Sequence, residues 1–236
     1  MPEIVLPPVL IVAHGQPAAP AAAAAELARF AAQVAALCPD RQIASVTLAE
    51  EGGLAKAVAA LGAGGRLFPM FMAGGWFTRV HLPAKLREAG ALGWQVLEPF
   101  GCDPALADLA VTLVRETGAH QVILAAHGSF KSSVPSDIAY ALAEKISAET
   151  GAEVRAGFID QDPQLASLTG FGQICLPFFA AAGGHVTQDI PAALAQAGFA
   201  GRILPPIGLD PRAVAVVAAA LQAGRPVCAT ACRYQR

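Results

Sequence analysis

Short unbroken apolar runs alternate along the chain with stretches in which apolar residues recur every three or four positions. The first run, 9–13 (Val-Leu-Ile-Val-Ala), is bounded by turn formers. A run apolar at every position fits a strand covered on both faces, as in a parallel sheet. Leu27, Phe30, Val34 and Leu37 then share one face at helical spacing. The same alternation predicts strands over 43–48, 67–72 and 94–97, with helices over 54–61 and 82–88. Asp103 is placed to cap a further helix, Pro104 to open it and Gly118 to end it, with Leu106, Leu109 and Leu113 as its stripe.

That order is then repeated. Strands are predicted over 122–126, 154–159, 174–178 and 202–204. Between them come a helix from about 136 (Ile138, Leu142 and Ile146 on one face), a short helix after Pro163 and a helix near 190–195. Asp210 and Pro211 open the last helix. Three signatures recur in the same order: an apolar run ending in His-Gly (His14 and His127), a proline-bounded glycine turn (69–83 and 177–191), and Pro-x-Gly-x-Asp-Pro (Asp103 and Asp210). Their offsets are 113, 108 and 107 residues, the drift that a few small deletions produce. Three ordered matches at nearly one offset mark an internal duplication. The expected architecture is α/β: two similar lobes, 1–118 and 119–236, each a parallel sheet flanked by helices, facing a cleft.

Composition narrows the functional classes. Of 236 residues 55% are hydrophobic and 14% charged, with a formal net charge of −2. Apolar content is ample for a core, and the charge balance lacks the basic excess of a nucleic-acid binder. No apolar run reaches the roughly 18 residues of a membrane helix. The opening segment has an acid, prolines and no basic leader, and the five cysteines are odd in number and scattered. Reduced thiols and a cytoplasmic location are therefore expected. Cys228 and Cys232 offer two thiols, too few for a metal site by themselves.

Candidate chemistry lies where ligands bind in such sheets, beyond the carboxyl ends of the strands. His127 follows the first strand of the second copy, Asp160 the second, and His185 lies in the loop after the third. Imidazole and carboxylate together suit a divalent transition metal and also move protons near neutral pH. Gly183 and Gly184 let a ligand approach the backbone before His185. In the first copy His14 matches His127 and Glu50 lies near the position of Asp160, but Phe77 stands where His185 is. His14 either reaches the cleft or is a hydrogen-bonded turn residue. Trp76 and Phe77 either stack on a flat ligand or pack between the lobes. Lys131, beside Ser129, Ser132 and Ser133, either lies in a solvated loop or offers a cation for a carboxylate. No Gly-x-Gly-x-x-Gly, P-loop or Gly-x-Ser-x-Gly element occurs where it would carry chemistry.

His-Gly-Ser after the first strand of the second copy, an acidic residue after its second, and Pro177-FFAAAGGHVTQDI-Pro191 resemble the CbiX and sirohydrochlorin chelatase family, as does Pro-x-Gly-x-Asp-Pro. The resemblance spans both halves. It implies the class II chelatase fold and ATP-independent insertion of a divalent metal into a tetrapyrrole. Cobalt for cobalamin is the favoured expectation, with iron for sirohaem, or a non-catalytic metal or tetrapyrrole carrier, as alternatives. It carries the metal-binding and catalytic roles to His127, His185 and Asp160, with His14 a further catalytic candidate. Gly183, Gly184, Ser129, Lys131, Trp76, Phe77 and Arg79 become candidate macrocycle contacts. No prosthetic group is expected: Co2+ or Fe2+ is a substrate, and the chain is expected to be a monomer or homodimer. The first-half sequence GGWFTRVHLP departs from the family's Gly-Gly-His pattern, so a second equivalent site is not expected.

Overall fold

The computed structural model describes residues 6–228 and 232–234. The apolar runs become strands: β1 (Val9–Ala13), β2 (Ile43–Thr47), β3 (Gly64–Pro69) and β4 (Gly93–Val96) form one sheet in the order β2-β1-β3-β4. β5 (Gln121–Ala126), β6 (Glu153–Phe158), β7 (Ile174–Pro177) and β8 (Arg202–Ile203) repeat that order as β6-β5-β7-β8. Every pairing within the two sheets is parallel; in register, Val122 faces Val154 on one side and Ile174 on the other. Val122, Ile123, Leu124 and Ala125 are fully buried, as an uninterrupted apolar strand requires. Each such Val, Leu or Ile stabilises the fold by about 1.5–3 kcal/mol relative to an exposed side chain.

Helices α1 (Pro20–Leu37), α2 (Gly53–Leu61), α3 (Leu82–Glu88), α4 (Pro104–Thr117), α5 (Val134–Thr150), α6 (Ile190–Gln196) and α7 (Ala213–Ala223) complete the elements. Asp103 caps α4 as expected: the Ala105 N–H donates to its Oδ1 at 2.8 Å. Gly118 ends that helix at φ +66°. Asp210 also accepts a backbone bond, from the Arg212 N–H at 2.9 Å, but α7 starts only at Ala213. Pro211 therefore lies in a turn rather than at the first helical position. After Pro163 the expected helix is a single tight turn, Leu165–Ser167.

Two compact units result. One takes the chain through Phe100 together with the stretch from Val214; the other runs from Gly101 to Ala213 and includes the last described residues. The repeat boundary near Gly118 is thus not the unit boundary, because the last helix of each copy packs outside its own sheet's unit. Within the first unit the carbonyl of Leu221, at the end of α7, accepts from Arg41 Nη1 (2.9 Å) and Arg66 Nη1 (3.3 Å). Two guanidinium groups there complement the negative end of the helix dipole. Downstream, the Glu98 N–H donates to the Arg225 carbonyl at 2.8 Å, Pro226 bridges Leu97 antiparallel, and the Glu98 carboxylate accepts from Arg225 Nε at 3.1 Å. Residues 229–231, between Cys228 and Cys232, lie outside the described part. No helix among the described residues is long and apolar enough to cross a membrane.

Candidate functional site

The strand order sets where a site can form. In the second sheet the connections from β5 and β7 lead to opposite sides, so the switch point lies between those two strands. His127 leaves the end of β5 and His185 follows β7, so both candidate imidazoles flank that point. Gly128 makes the turn after β5 at φ +74°. A Cβ there would lie 2.9 Å from Gln161 Cγ and 3.0 Å from Phe158 Cβ, so both conformation and space select glycine. The next N–H, of Ser129, donates to Gln161 Oε1 at 2.9 Å and pins the loop to the segment after β6.

His185 does not sit in a loop, as the sequence reading has it. It begins a π-helical turn, His185–Asp189, continuous with α6, in which the Ile190 N–H reaches back to the His185 carbonyl. Pro191 explains the widening. It has no N–H, and its ring would crowd the carbonyl of Thr187 in a regular helix. The first copy has the same device before Pro83: a π-helical turn Phe77–His81, with the Leu82 N–H bonded to the Phe77 carbonyl. Gly184 has ordinary right-handed helical angles with no atom within 4 Å of a would-be Cβ, so it leaves open space beside His185.

The two histidine rings meet edge to face, with centroids 4.7 Å apart and planes at 89°. His185 Nδ1 lies 2.6 Å from Asp189 Oδ2. His127 Nδ1 lies 3.1 Å from the Gly128 carbonyl and 3.5 Å from Asp160 Oδ2. Acceptors at both Nδ1 atoms favour the tautomer with the proton there, which leaves each Nε2 lone pair for a ligand. Both side chains are nearly half exposed, so an ion can arrive with its waters. Among the described residues no group of three or more His, Cys, Asp or Glu side chains is arranged to hold a metal ion. Asp160 therefore faces the back of His127 instead of completing a ready three-ligand set. Phe179 lies near His185, with ring centroids 6.4 Å apart. In the sequence Asp189 stands only as a residue of the proline-bounded motif and Gln161 is not singled out; the His185-x-x-x-Asp189 spacing was the available signal for the carboxylate behind the imidazole.

The first unit carries different chemistry at its equivalent position. His14 packs against Phe71 (centroids 4.4 Å) and Phe77 (4.3 Å), and His81 against Phe77 (4.6 Å) and Trp76 (5.5 Å). Phe77 thus fills the place of the second imidazole with a ring that cannot ligate. Glu50 turns back on its own loop, accepting from the Thr47 N–H at 3.4 Å. Trp76 and Phe77 lie at the start of the π-helical turn rather than in a loop; Trp76 is exposed and Phe77 half-buried. Arg79 lies within that turn. In the second unit Ser129 Oγ accepts from the Lys131 N–H at 3.1 Å, and the Lys131 side chain is exposed.

A duplicated α/β protein with an imidazole pair at the switch point of its second sheet is the class that fold and site define. The CbiX family model matches residues 121–223. The solved structure titled as CbiX, the terminal enzyme for biosynthesis of siroheme in denitrifying bacteria, is 40% identical, with a TM-score of 0.85 over 92% of this chain and 98% of that one. The chain belongs to the CbiX family. Two structures of SirB share the fold: one from Bacillus subtilis with Fe3+ (14% identity, TM-score 0.69) and one, titled a sirohydrochlorin chelatase, from Bacillus subtilis subspecies spizizenii in complex with cobalt (16%, 0.68). Each comparison covers 91% of this chain and 93% of SirB. No curated protein matches the chain significantly.

Proposed function

We propose that this protein inserts a divalent metal ion into sirohydrochlorin or a close tetrapyrrole relative, and that His127 and His185 hold the incoming ion. The observation that carries the reading is the imidazole pair at the switch point, both rings backed at Nδ1 and 4.7 Å apart. Two Nε2 ligands leave most coordination positions to water, which pyrrole nitrogens can replace in turn. As the ion passes to the macrocycle, two pyrrole protons must leave. Each imidazole released from the ion is a base for one of them, and the carboxylate behind it, Asp189 for His185 and Asp160 for His127, stabilises the imidazolium until its proton passes to water. Holding ion and macrocycle together removes much of the entropy cost of their encounter.

Iron is the metal we favour, in place of the cobalt preferred from sequence. The support is the 40% identical relative, which is named as the terminal enzyme of sirohaem biosynthesis; imidazole and carboxylate accept either ion. Ser129 and Lys131 are proposed macrocycle contacts in the second unit, with Gly183 and Gly184 leaving room for approach. Trp76, Phe77 and Arg79 are the corresponding proposals in the first. His14, enclosed by two phenyl rings, is proposed to have no catalytic share. The free thiols of Cys38, Cys175 and Cys228 fit the proposed cytoplasmic setting. The test is anaerobic absorbance of sirohydrochlorin with Fe2+ or Co2+ and catalytic protein. Multiple turnovers faster with Fe2+ support the reading, faster turnover with Co2+ restores cobalt, and saturable binding without turnover indicates a carrier.

A further inference from the structure

The loop after His127 carries a ring whose position packing does not explain. Phe130 is 79% exposed. Among the described residues only one other aromatic side chain, Trp76, is exposed in this way. An apolar ring left in water on a loop is unusual only if the loop holds it there, and this one does. The Ser129 N–H bonds to Gln161 Oε1 (2.9 Å), the Lys131 N–H to Ser129 Oγ (3.1 Å) and the Val134 N–H to Ser132 Oγ (3.3 Å), where α5 begins. The backbone on both sides of the ring is therefore fixed, at the same end of the sheet as the imidazole pair. Its neighbour Lys131 is also exposed and forms no salt bridge among the described residues. The first copy, counted from its own His-Gly, has Pro17 at this position.

A flat apolar face followed directly by a free ammonium matches a planar conjugated ring system bearing carboxylates. We propose that Phe130 positions the macrocycle by stacking on its face while Lys131 meets a peripheral carboxylate, so that the pyrrole nitrogens are presented to the ion on His127 and His185. This assignment rests on the chelatase reading of the site. Stacking acts on the macrocycle and not on the ion, so its loss changes one affinity and leaves the other.

The experiment is a metal-free absorbance titration of the full-length protein with sirohydrochlorin, comparing wild type with Phe130→Ala and Phe130→Trp, followed by steady-state insertion. Phe130→Ala is expected to weaken macrocycle binding on the order of tenfold and raise its KM alike, while KM for the ion stays unchanged. Phe130→Trp restores binding, which a merely structural role for the side chain does not explain. Wild-type binding with Phe130→Ala equally tight overturns this assignment alone. Absence of binding by the wild type overturns it together with the chelatase reading.

Discussion

His185 Nδ1 lies 2.6 Å from Asp189 Oδ2, and both residues belong to one short π-helical turn forced by the proline that follows. The carboxylate orients the imidazole and favours the tautomer with its proton on Nδ1. Asp189→Asn keeps the size of the side chain and removes the charge. It is expected to slow metal insertion about 10- to 100-fold, the usual cost of losing a partner behind a metal-binding imidazole. Unchanged kinetics in a folded Asp189→Asn protein would show that His185 needs no such support.

The His-Gly turn depends on glycine for space as well as for backbone angle. Gly52 has a similar positive φ, +67°, but nothing within 4 Å of a would-be Cβ, whereas at Gly128 two side-chain atoms lie at 3.0 Å or less. Gly52→Ala therefore pays only the left-handed penalty, about 1–2 kcal/mol. Gly128→Ala adds a clash against Gln161 and Phe158. Thermal unfolding of the pair should place the Gly128 variant clearly lower in Tm, and it should also lose insertion activity through displaced His127.

Acid stability should report the Arg212 cluster. Arg212 bonds Glu116 through Nη1 (2.6 Å) and Nη2 (3.0 Å) and Asp210 through Nε (2.8 Å). These bonds hold both carboxyls below their ordinary pKa values. Carboxyls depressed in the folded state stabilise it above their unfolded pKa values, roughly 4, and lose that contribution as pH falls through the lower folded values. Arg212→Gln should thus lower Tm at pH 6 to 7, with the gap to wild type closing as pH falls below about 4. A gap that widens in acid would contradict the assignment.

Thiol reactivity separates the cysteines. Burial in β7 pushes the Cys175 thiol up to about 12, so almost none is thiolate near neutrality. Mass spectrometry after brief alkylation of the native protein at pH 8 should find Cys228, which is half-buried, modified well before Cys175. Equal labelling would mean that β7 opens readily.

The sequence made some levels of this structure legible and hid others. Strands such as β5 read directly because a strand covered on both faces is apolar at every position. The duplication made His127 and His185 comparable with His14 and Phe77, and so pointed to the second copy. The π-helical turns were hidden because glycines and proline around 183–191 read locally as a loop and a helix start. Where α7 packs was hidden too, since a uniformly apolar helix does not name its partner; the Arg41 and Arg66 contacts at Leu221 show it. Phe130 escaped notice because burial of a phenyl ring is the default expectation, and exposure is a tertiary fact.

The most direct measurement compares His185→Ala with His14→Ala in anaerobic metal insertion into sirohydrochlorin, with circular dichroism as the control for folding. His185→Ala is expected to lose nearly all catalysed insertion, while His14→Ala, altering a histidine packed against Phe71 and Phe77, retains most of it. Loss in His14→Ala with activity preserved in His185→Ala would place the working site in the first copy and overturn the assignment of the ion to His127 and His185.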